Sequence, residues 1–582
     1  MSEQSAFARF IERAGRIAGR GVFETGIPMR DGIELAADVY LPQGAGGTGI
    51  AARGGVPAIV EVTPYGKDNA VLIADDAELY QRHGYVFVAV DCRGRGKSGG
   101  DWVAMVEDAA DTHDVIEWAA AQPWCDGNVG ITGLSYMGWV QWAAASERPP
   151  HLRAMVSTSA AGRWQQEIPY TNGAFQLYFV WWCLGTNGRI QQAHARQAAD
   201  WEEVLRVLPV QAMAEQVGAT GPSWDVLSRH ETLDEMWRSI RFDDRYGELD
   251  VPCLHVTGWY DIEDLLGAFH HYEHMAAHSP ARDTQYLLVG PWSHLKSRYT
   301  DRECGGVDFG PDAAWDMDAE HLAFFDHFLK GADNGVEGLE RVRVFEPGRN
   351  AWRGAPRWPL SDTDRSLFLA PGSLVAAPPA ESSETEYRYD PLDPARTVID
   401  VATYPSVDPA LDLTANEARD DVVCYTGEVL TGEVTISGWP SLELFASSDG
   451  EDTDWHVKVT DVTPEGRSIK VTQGCLRAAC RDSLERPAPL EPGRVYRFVV
   501  ELWPTHHVFL AGHRIRLTVA SSDFPWFARN LNRFGHPIDL AEPRVATNVI
   551  RHGAAHASRL VLPLVSSPGL APREVAARAP SS

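Results

Sequence analysis

Between residues 22 and 160 the chain alternates two kinds of hydrophobic pattern. Residues 22–28 and 33–41 read as strands on either side of Asp31-Gly32, which signals a hairpin. Residues 56–62, 85–90, 128–134 and 152–157 are short apolar runs without a polar face, the pattern of strands buried on both sides. Residues 108–122 repeat apolar positions at helical spacing through Ala110, Val115, Trp118 and Ala119, and a second helix runs from Tyr136 through Trp139, Val140, Trp142 and Ala143. Strand and helix in alternation imply a mainly parallel sheet. The acids Glu107, Asp108, Asp111 and Asp114 are expected at the start and on the solvated face of the first helix.

The alternation stops at residue 161. Up to 249 the pattern is helical and rich in aromatics, among them Trp164, Tyr178, Phe179, Trp181, Trp182 and Trp237. An insertion at this point would lie over the strand ends and wall a pocket. Strand patterns resume at 253–257 and 286–289, with helices at 262–277 and 321–330. From about 342, short alternating runs separated by Pro/Gly turns, such as 434–437, 455–462 and 514–520, argue an all-β sandwich. Phe7, Phe10, Ile11, Ala14 and Ile17 form a stripe that charged residues interrupt, so 1–21 reads as a docking helix rather than a signal peptide. The expected partition is an N-terminal helical extension (1–21), an α/β domain (22–160 with 250–345), a helical cap (161–249) and a β-domain (346–575).

Candidate chemistry sits at the strand ends. Gly133-Leu134-Ser135-Tyr136-Met137-Gly138 places a serine on a tight turn between a strand and a helix, the way α/β-hydrolases present a nucleophile. The usual second glycine, two residues after the serine, is replaced by Met137. The next two strands end at Asp261 and His294, in the hydrolase order Ser, Asp, His. The chemistry requires these types, because a serine hydroxyl needs an imidazole to take its proton and a carboxylate to hold the imidazole. The Tyr136 N–H, at the helix start, and the Tyr65 phenol, at another strand end, are candidate oxyanion donors.

Composition narrows the alternatives. Of 582 residues, 44% are hydrophobic and 23% charged, enough for large cores. A net charge of -28 excludes a nucleic-acid partner, which would need a basic face. No segment is apolar enough to span a membrane. The eight cysteines are scattered and expected as buried thiols, with only Cys475 and Cys480 close enough in sequence to suggest a disulfide. A cytoplasmic protein is expected, and a homo-oligomer is compatible with the sequence. The Gly/Arg-rich loop 91–100 lacks the spacing of a phosphate cradle. His270, His274 and His278 recur at i, i+4, i+8 without the pattern of a metal site, so they read as a packed or solvated face, and no metal or cofactor is expected.

These motifs resemble those of the cocaine esterase family of serine hydrolases, itself similar to X-Pro dipeptidyl-peptidases, α-amino acid ester hydrolases and glutaryl cephalosporin acylases. The resemblance rests on Arg30-Asp31-Gly32, Pro64-Tyr65, Asp91-Cys92-Arg93-Gly94, Gly133 to Gly138, Gly258-Trp259-Tyr260-Asp261, Gly290-Pro291-Trp292-Ser293-His294 and Phe509-Leu510-Ala511-Gly512-His513. It implies an α/β-hydrolase core with a helical cap and a C-terminal all-β jelly-roll domain. It also implies Ser135, Asp261 and His294 as triad, Tyr65 with the Tyr136 amide as oxyanion hole, and Gly138 as the normal elbow residue. After the acid, Ile262-Glu263-Asp264 looks like the α-amino acid ester hydrolase branch, where such carboxylates hold a substrate α-ammonium; Glu167 is a candidate third member. Glu263 and Asp264 are equally explained as acids in the first turn of the helix 262–277. The expected partner is a small-molecule ester or amide, cleaved through an acyl-enzyme. The alternatives are an X-Pro dipeptidyl-peptidase-like aminopeptidase and a non-catalytic binding protein using its β-domain.

Overall fold

The computed structural model describes residues 22–42, 50–51, 54–69, 73–397 and 408–566. The helix expected in 1–21 and the end of the β-region beyond 566 lie outside the described residues.

The hairpin pattern becomes β1 (Val22–Pro28) and β2 (Glu34–Tyr40), paired antiparallel. The buried runs become β3 (Val56–Thr63), β4 (Val86–Asp91), β5 (Cys125–Leu134) and β6 (Leu152–Thr158). A two-residue hairpin, β7 (Tyr170–Thr171) and β8 (Ala174–Phe175), lies within the insertion. The sheet then continues with β9 (Cys253–Gly258) and β10 (Gln285–Gly290). After a small ribbon, β11 (Glu303–Cys304) and β12 (Val307–Asp308), it ends with β13 (Val342–Glu346) and β14 (Ala351–Ala355). The ten-stranded order is β1-β2-β4-β3-β5-β6-β9-β10-β13-β14. From β4 to β13 neighbouring strands are parallel. Every position of β4, β9 and β10 is buried, as unbroken apolar runs require when helices cover both faces.

One face carries the helices Asp108–Ala120, Tyr136–Ser146 and Leu265–His278. The middle one is buried along its whole length, and its Trp142 stacks on His271 with ring centroids 4.3 Å apart. The other face carries Ala74–Arg82 and Met317–Lys330, joined by a Tyr80–Phe325 ring contact.

Two expectations fail here. Asp108 and Asp111 do not sit on a solvated face: both are buried, Asp108 under the Tyr136 hydroxyl and Asp111 on the Arg93 guanidinium. The helix expected from 262 begins at Leu265, so neither Glu263 nor Asp264 lies in its first turn. Asp264 is instead the N-cap, where the helix end still favours an acid although its side chain bonds no helix-end N–H, and Glu263 stands one residue outside the helix.

The insertion shares the core of the sheet instead of making its own. Its helix Tyr178–Thr186 packs Trp182 on Tyr136 and Trp102, while Tyr178 stacks on Trp526 of the C-terminal region at 5.4 Å. Beyond Ala355 the described residues form strands and loops, with two single 3-10 turns at Asn416–Ala418 and Ala478–Cys480. Thirteen strands between Thr363 and Leu564 join in one network around a separate apolar core that includes Leu444, Trp455, Val457 and Phe498.

Candidate active site

The loops that follow β3, β5, β9 and β10 converge at the C-terminal edge of the parallel strands, where open α/β sheets build their sites. Ser135 separates β5 from its helix with φ 65° and ψ -126°, a left-handed conformation that costs a non-glycine residue about 1–3 kcal/mol. Its N–H donates to the Thr158 carbonyl at 3.0 Å, which holds the turn. Gly133 has φ 148°, and a Cβ there would lie 2.5 Å from that of Met137. At Gly138 a Cβ would lie 2.8 Å from the Thr158 carbonyl oxygen. The close approach of helix to β6 therefore falls one residue after the usual place, which is why a methionine is tolerated at 137 and glycine is needed at 138.

Asp261 and His294 are brought together by backbone stitching between their loops. The Trp259 N–H donates to the Gly290 carbonyl at 2.9 Å and the Tyr260 N–H to the Trp292 carbonyl at 3.0 Å. His294 Nδ1 lies 3.2 Å from both Asp261 oxygens. Asp261 Oδ1 also accepts from the Glu263 and Asp264 N–H groups at 2.9 and 3.1 Å. Burial opposes the charge of Asp261, yet His294 and these donors hold its pKa below the ordinary carboxylate value. The Asp261 carboxylate thus accepts from Nδ1–H and leaves Nε2 as the ring nitrogen turned away from it.

Two further carboxylates face the same imidazole. Glu263 Oε2 is 3.7 Å from Nε2, and Asp264 Oδ2 is 3.9 Å from Nδ1. Burial pushes His294 toward the neutral form, but Glu263, Asp261 and Asp264 outweigh it and raise its pKa to about 10. Burial raises the pKa values of Glu263 and Asp264 as well. The Tyr178 hydroxyl bonds to Glu263, whereas Asp264 Oδ1 is buried with no hydrogen-bond partner. No hydrogen bond joins Ser135 to His294 among the described residues; both line one cavity.

The two candidate oxyanion donors also meet at Ser135. The Tyr136 N–H is first in its helix, one of the amides a helix leaves without an internal partner. Its side chain is locked, donating to Asp108 at 2.7 Å and accepting from the Met105 N–H at 2.8 Å. Tyr65 lines the cavity and accepts from Trp182 Nε1 at 3.2 Å. Burial pushes its pKa up to about 12, so the phenol keeps its proton at neutral pH.

Glu167 is placed differently from the other candidates. It lines neither cavity next to Ser135. Its carboxylate accepts from the N–H groups of Gly162, Arg163 and Gly267, tying the start of the insertion to the helix after Asp261. Burial raises its pKa to about 7 despite these donors.

Ser135 stands between two cavities. A narrow one of about 30 Å³ is lined by aromatics with Glu263 and Asp264. A wider one of about 280 Å³ is lined by Tyr65, Asn69, Tyr178, Trp181, Arg196 and His294, with Glu263 at its inner edge. Sequence reasoning named Tyr178, Trp181 and Trp182 only as aromatics; the i, i+4 pair Tyr178 and Trp182 was the available signal. Arg196 had none.

The remaining candidates contact other protein groups. The arginines of loop 91–100 are engaged by protein groups: Arg93 by Asp31 and Asp111, Arg95 by the carbonyls of Pro64, Thr186 and Gly188. His270 Nε2 is 2.8 Å from Asp243 Oδ1 and His274 stacks on Tyr246; these are the residues among those described whose donor atoms could gather a metal ion. All eight cysteines are free, so Cys475 and Cys480 form no disulfide.

The chain is similar to known proteins over nearly its whole length. Residues 31–296 match the X-Pro dipeptidyl-peptidase (S15 family), and residues 334–561 match the X-Pro dipeptidyl-peptidase C-terminal non-catalytic domain. The chain is 35% identical to cocaine esterase of Rhodococcus sp. (strain MB1 Bresler), over 93% of this chain and 97% of that one. An α-amino acid ester hydrolase superposes with a TM-score of 0.83 at 28% identity, over 94% of this chain and 97% of the other. An aminopeptidase from the marine sediment archaeon Thaumarchaeota archaeon does so with a TM-score of 0.84 at 26% identity, over the same 94% and 97%.

Proposed function

We infer the function of this chain from its family: it belongs to the S15 family, that of X-Pro dipeptidyl-peptidase, and is a serine ester hydrolase. We propose that Ser135 is its nucleophile, His294 its base and acid, and Asp261 the residue that orients His294. The Ser135 hydroxyl gives its proton to His294 Nε2 as its oxygen attacks the substrate carbonyl carbon. The Tyr136 N–H and the Tyr65 hydroxyl stabilise the oxyanion. Collapse breaks the bond to the leaving oxygen or nitrogen, which takes the proton from His294, and water then repeats the sequence on the acyl-enzyme.

We further propose that the enzyme prefers acyl groups bearing an α-amino group. The observation that carries this reading is the unpartnered Asp264 Oδ1, buried beside Glu263 in the narrow cavity. A buried carboxylate oxygen without a donor is costly, and an ammonium would supply one. Phenylglycine methyl ester should then be hydrolysed at least about tenfold faster, in kcat/KM, than its N-acetyl form, the worth of one charge-assisted hydrogen bond. Equal rates would refute the preference. The second reading, an X-Pro dipeptidyl-peptidase, uses the same amine site, and the aminopeptidase likeness favours it. It predicts release of p-nitroaniline from Gly-Pro-p-nitroanilide. We place the protein in the cytoplasm, in keeping with its free, mostly buried thiols.

A further inference from the structure

The wider cavity contains a cation that the reaction as described does not use. Arg196 lies in the insertion, with its guanidinium 3.5 Å from the centroid of the Trp181 ring. One Nη donates to the Trp182 carbonyl at 3.3 Å, and its Nε is buried without a partner. No carboxylate lies within ion-pair distance of it among the described residues. The fully buried Arg298, Arg343 and Arg477 are matched by carboxylates, and Arg95 by three backbone carbonyls, whereas the partly buried Arg196 has a single carbonyl. A partly buried guanidinium with one buried N–H unpartnered is completed by an anion that enters the cavity.

Its position tells which part of a ligand that would be. Arg196 lines only the wider cavity, while Asp264 lines only the narrow one, and Ser135 opens on both. The narrow cavity, about 30 Å³, has room for little more than the ammonium beside Asp264 and Glu263, so the rest of the substrate, its leaving half included, lies in the wider one. Asn69 and Gln191 add amides to the wall there. We propose that Arg196 binds a carboxylate on the leaving half, so that the preferred substrate is an ester or amide of an α-amino acid whose leaving group carries a carboxylate, as in a short peptide. This rests on the reading of Glu263 and Asp264 only for the acyl half; the claim about the leaving half stands on Arg196 itself. Planar guanidinium and carboxylate pair through two parallel hydrogen bonds, which a neutral amide in the same place cannot match.

The test uses the full-length Ser135→Ala protein, which binds esters without turning them over. Titration calorimetry compares the carboxymethyl ester of phenylglycine with its carbamoylmethyl ester, two ligands that differ in one charge. The carboxymethyl ester should bind at least about tenfold more tightly. The difference should vanish when Arg196→Gln is added and be partly restored by Arg196→Lys, which also shows that the fold survives substitution. Equal affinities, or a difference that survives Arg196→Gln, overturn the proposal. Repeating the pair with N-acetylphenylglycine separates the two claims. If the amine reading alone is wrong, acetylation leaves affinity unchanged while the carboxylate still discriminates.

Discussion

Replacing Glu263 by glutamine should move the pH dependence of the enzyme by about two units. His294 must be neutral at Nε2 to accept the serine proton, and its raised pKa of about 10 places that neutral form in the alkaline range. In the free enzyme at pH 7, only about one His294 in a thousand is then unprotonated. The Glu263 carboxylate lies 3.7 Å from Nε2. At an effective dielectric constant of about 20, a charge pair at that distance is worth about 4.5 kcal/mol, or roughly three pKa units. Solvent entering through the wider cavity reduces this, so about two units is expected. The sign is fixed: a nearby anion favours imidazolium, so its removal lowers the pKa and moves the acid limb of kcat/KM from about 10 to about 8. Methyl phenylacetate is the right substrate, because it has no amine of its own to titrate. At pH 7 the variant should hydrolyse it up to about a hundredfold faster than the unmodified enzyme. An ammonium bound between Glu263 and Asp264 would have the same effect in the unmodified enzyme, so substrate binding itself would free the base. An acid limb that stays where it was in Glu263→Gln refutes this account of His294.

Three further outcomes are expected. Ser135→Ala should abolish labelling by a fluorophosphonate probe, and equal labelling of both proteins would remove Ser135 as nucleophile. Tyr65→Phe should lower kcat about 10²–10³-fold with little change in KM, since the lost donor acts on the oxyanion and not on the bound ester; an unchanged kcat would leave the Tyr136 amide as the working donor. Glu167→Ala strips the partner from three backbone N–H groups and should cost about 3 kcal/mol, lowering Tm by about 2–4 °C, as read by calorimetry. A loss of amine preference without any loss of stability would instead make Glu167 part of the binding site.

Much of the site was legible in the chain because its logic is local. The glycine at 133, the serine at 135 and the helix after them are one turn of backbone, and the strand-end positions of Tyr65, Asp261 and His294 follow from runs of apolar residues. The ambiguity between two explanations of Glu263 and Asp264 was also local; the helix start at Leu265 puts Asp264 at the N-cap and Glu263 outside the helix, and the burial of both acids is what the tertiary structure added. What escaped depends on contacts between distant segments. Asp108 looked like a surface acid until Tyr136 was placed over it. Nothing local showed that Glu167 accepts from the Gly267 amide, a hundred residues away. Arg196 was one arginine among many.

The sequence by itself determined that the sheet is mainly parallel, the tight turn that carries Ser135 and the order of serine, acid and histidine, because periodicity, turn chemistry and position along the chain are local quantities. Only the tertiary structure decided which charges are desolvated and which have partners. That depends on what the fold stacks above each residue: the Tyr136 hydroxyl over Asp108, two carboxylates around His294, and a wall of tryptophans around a lone arginine.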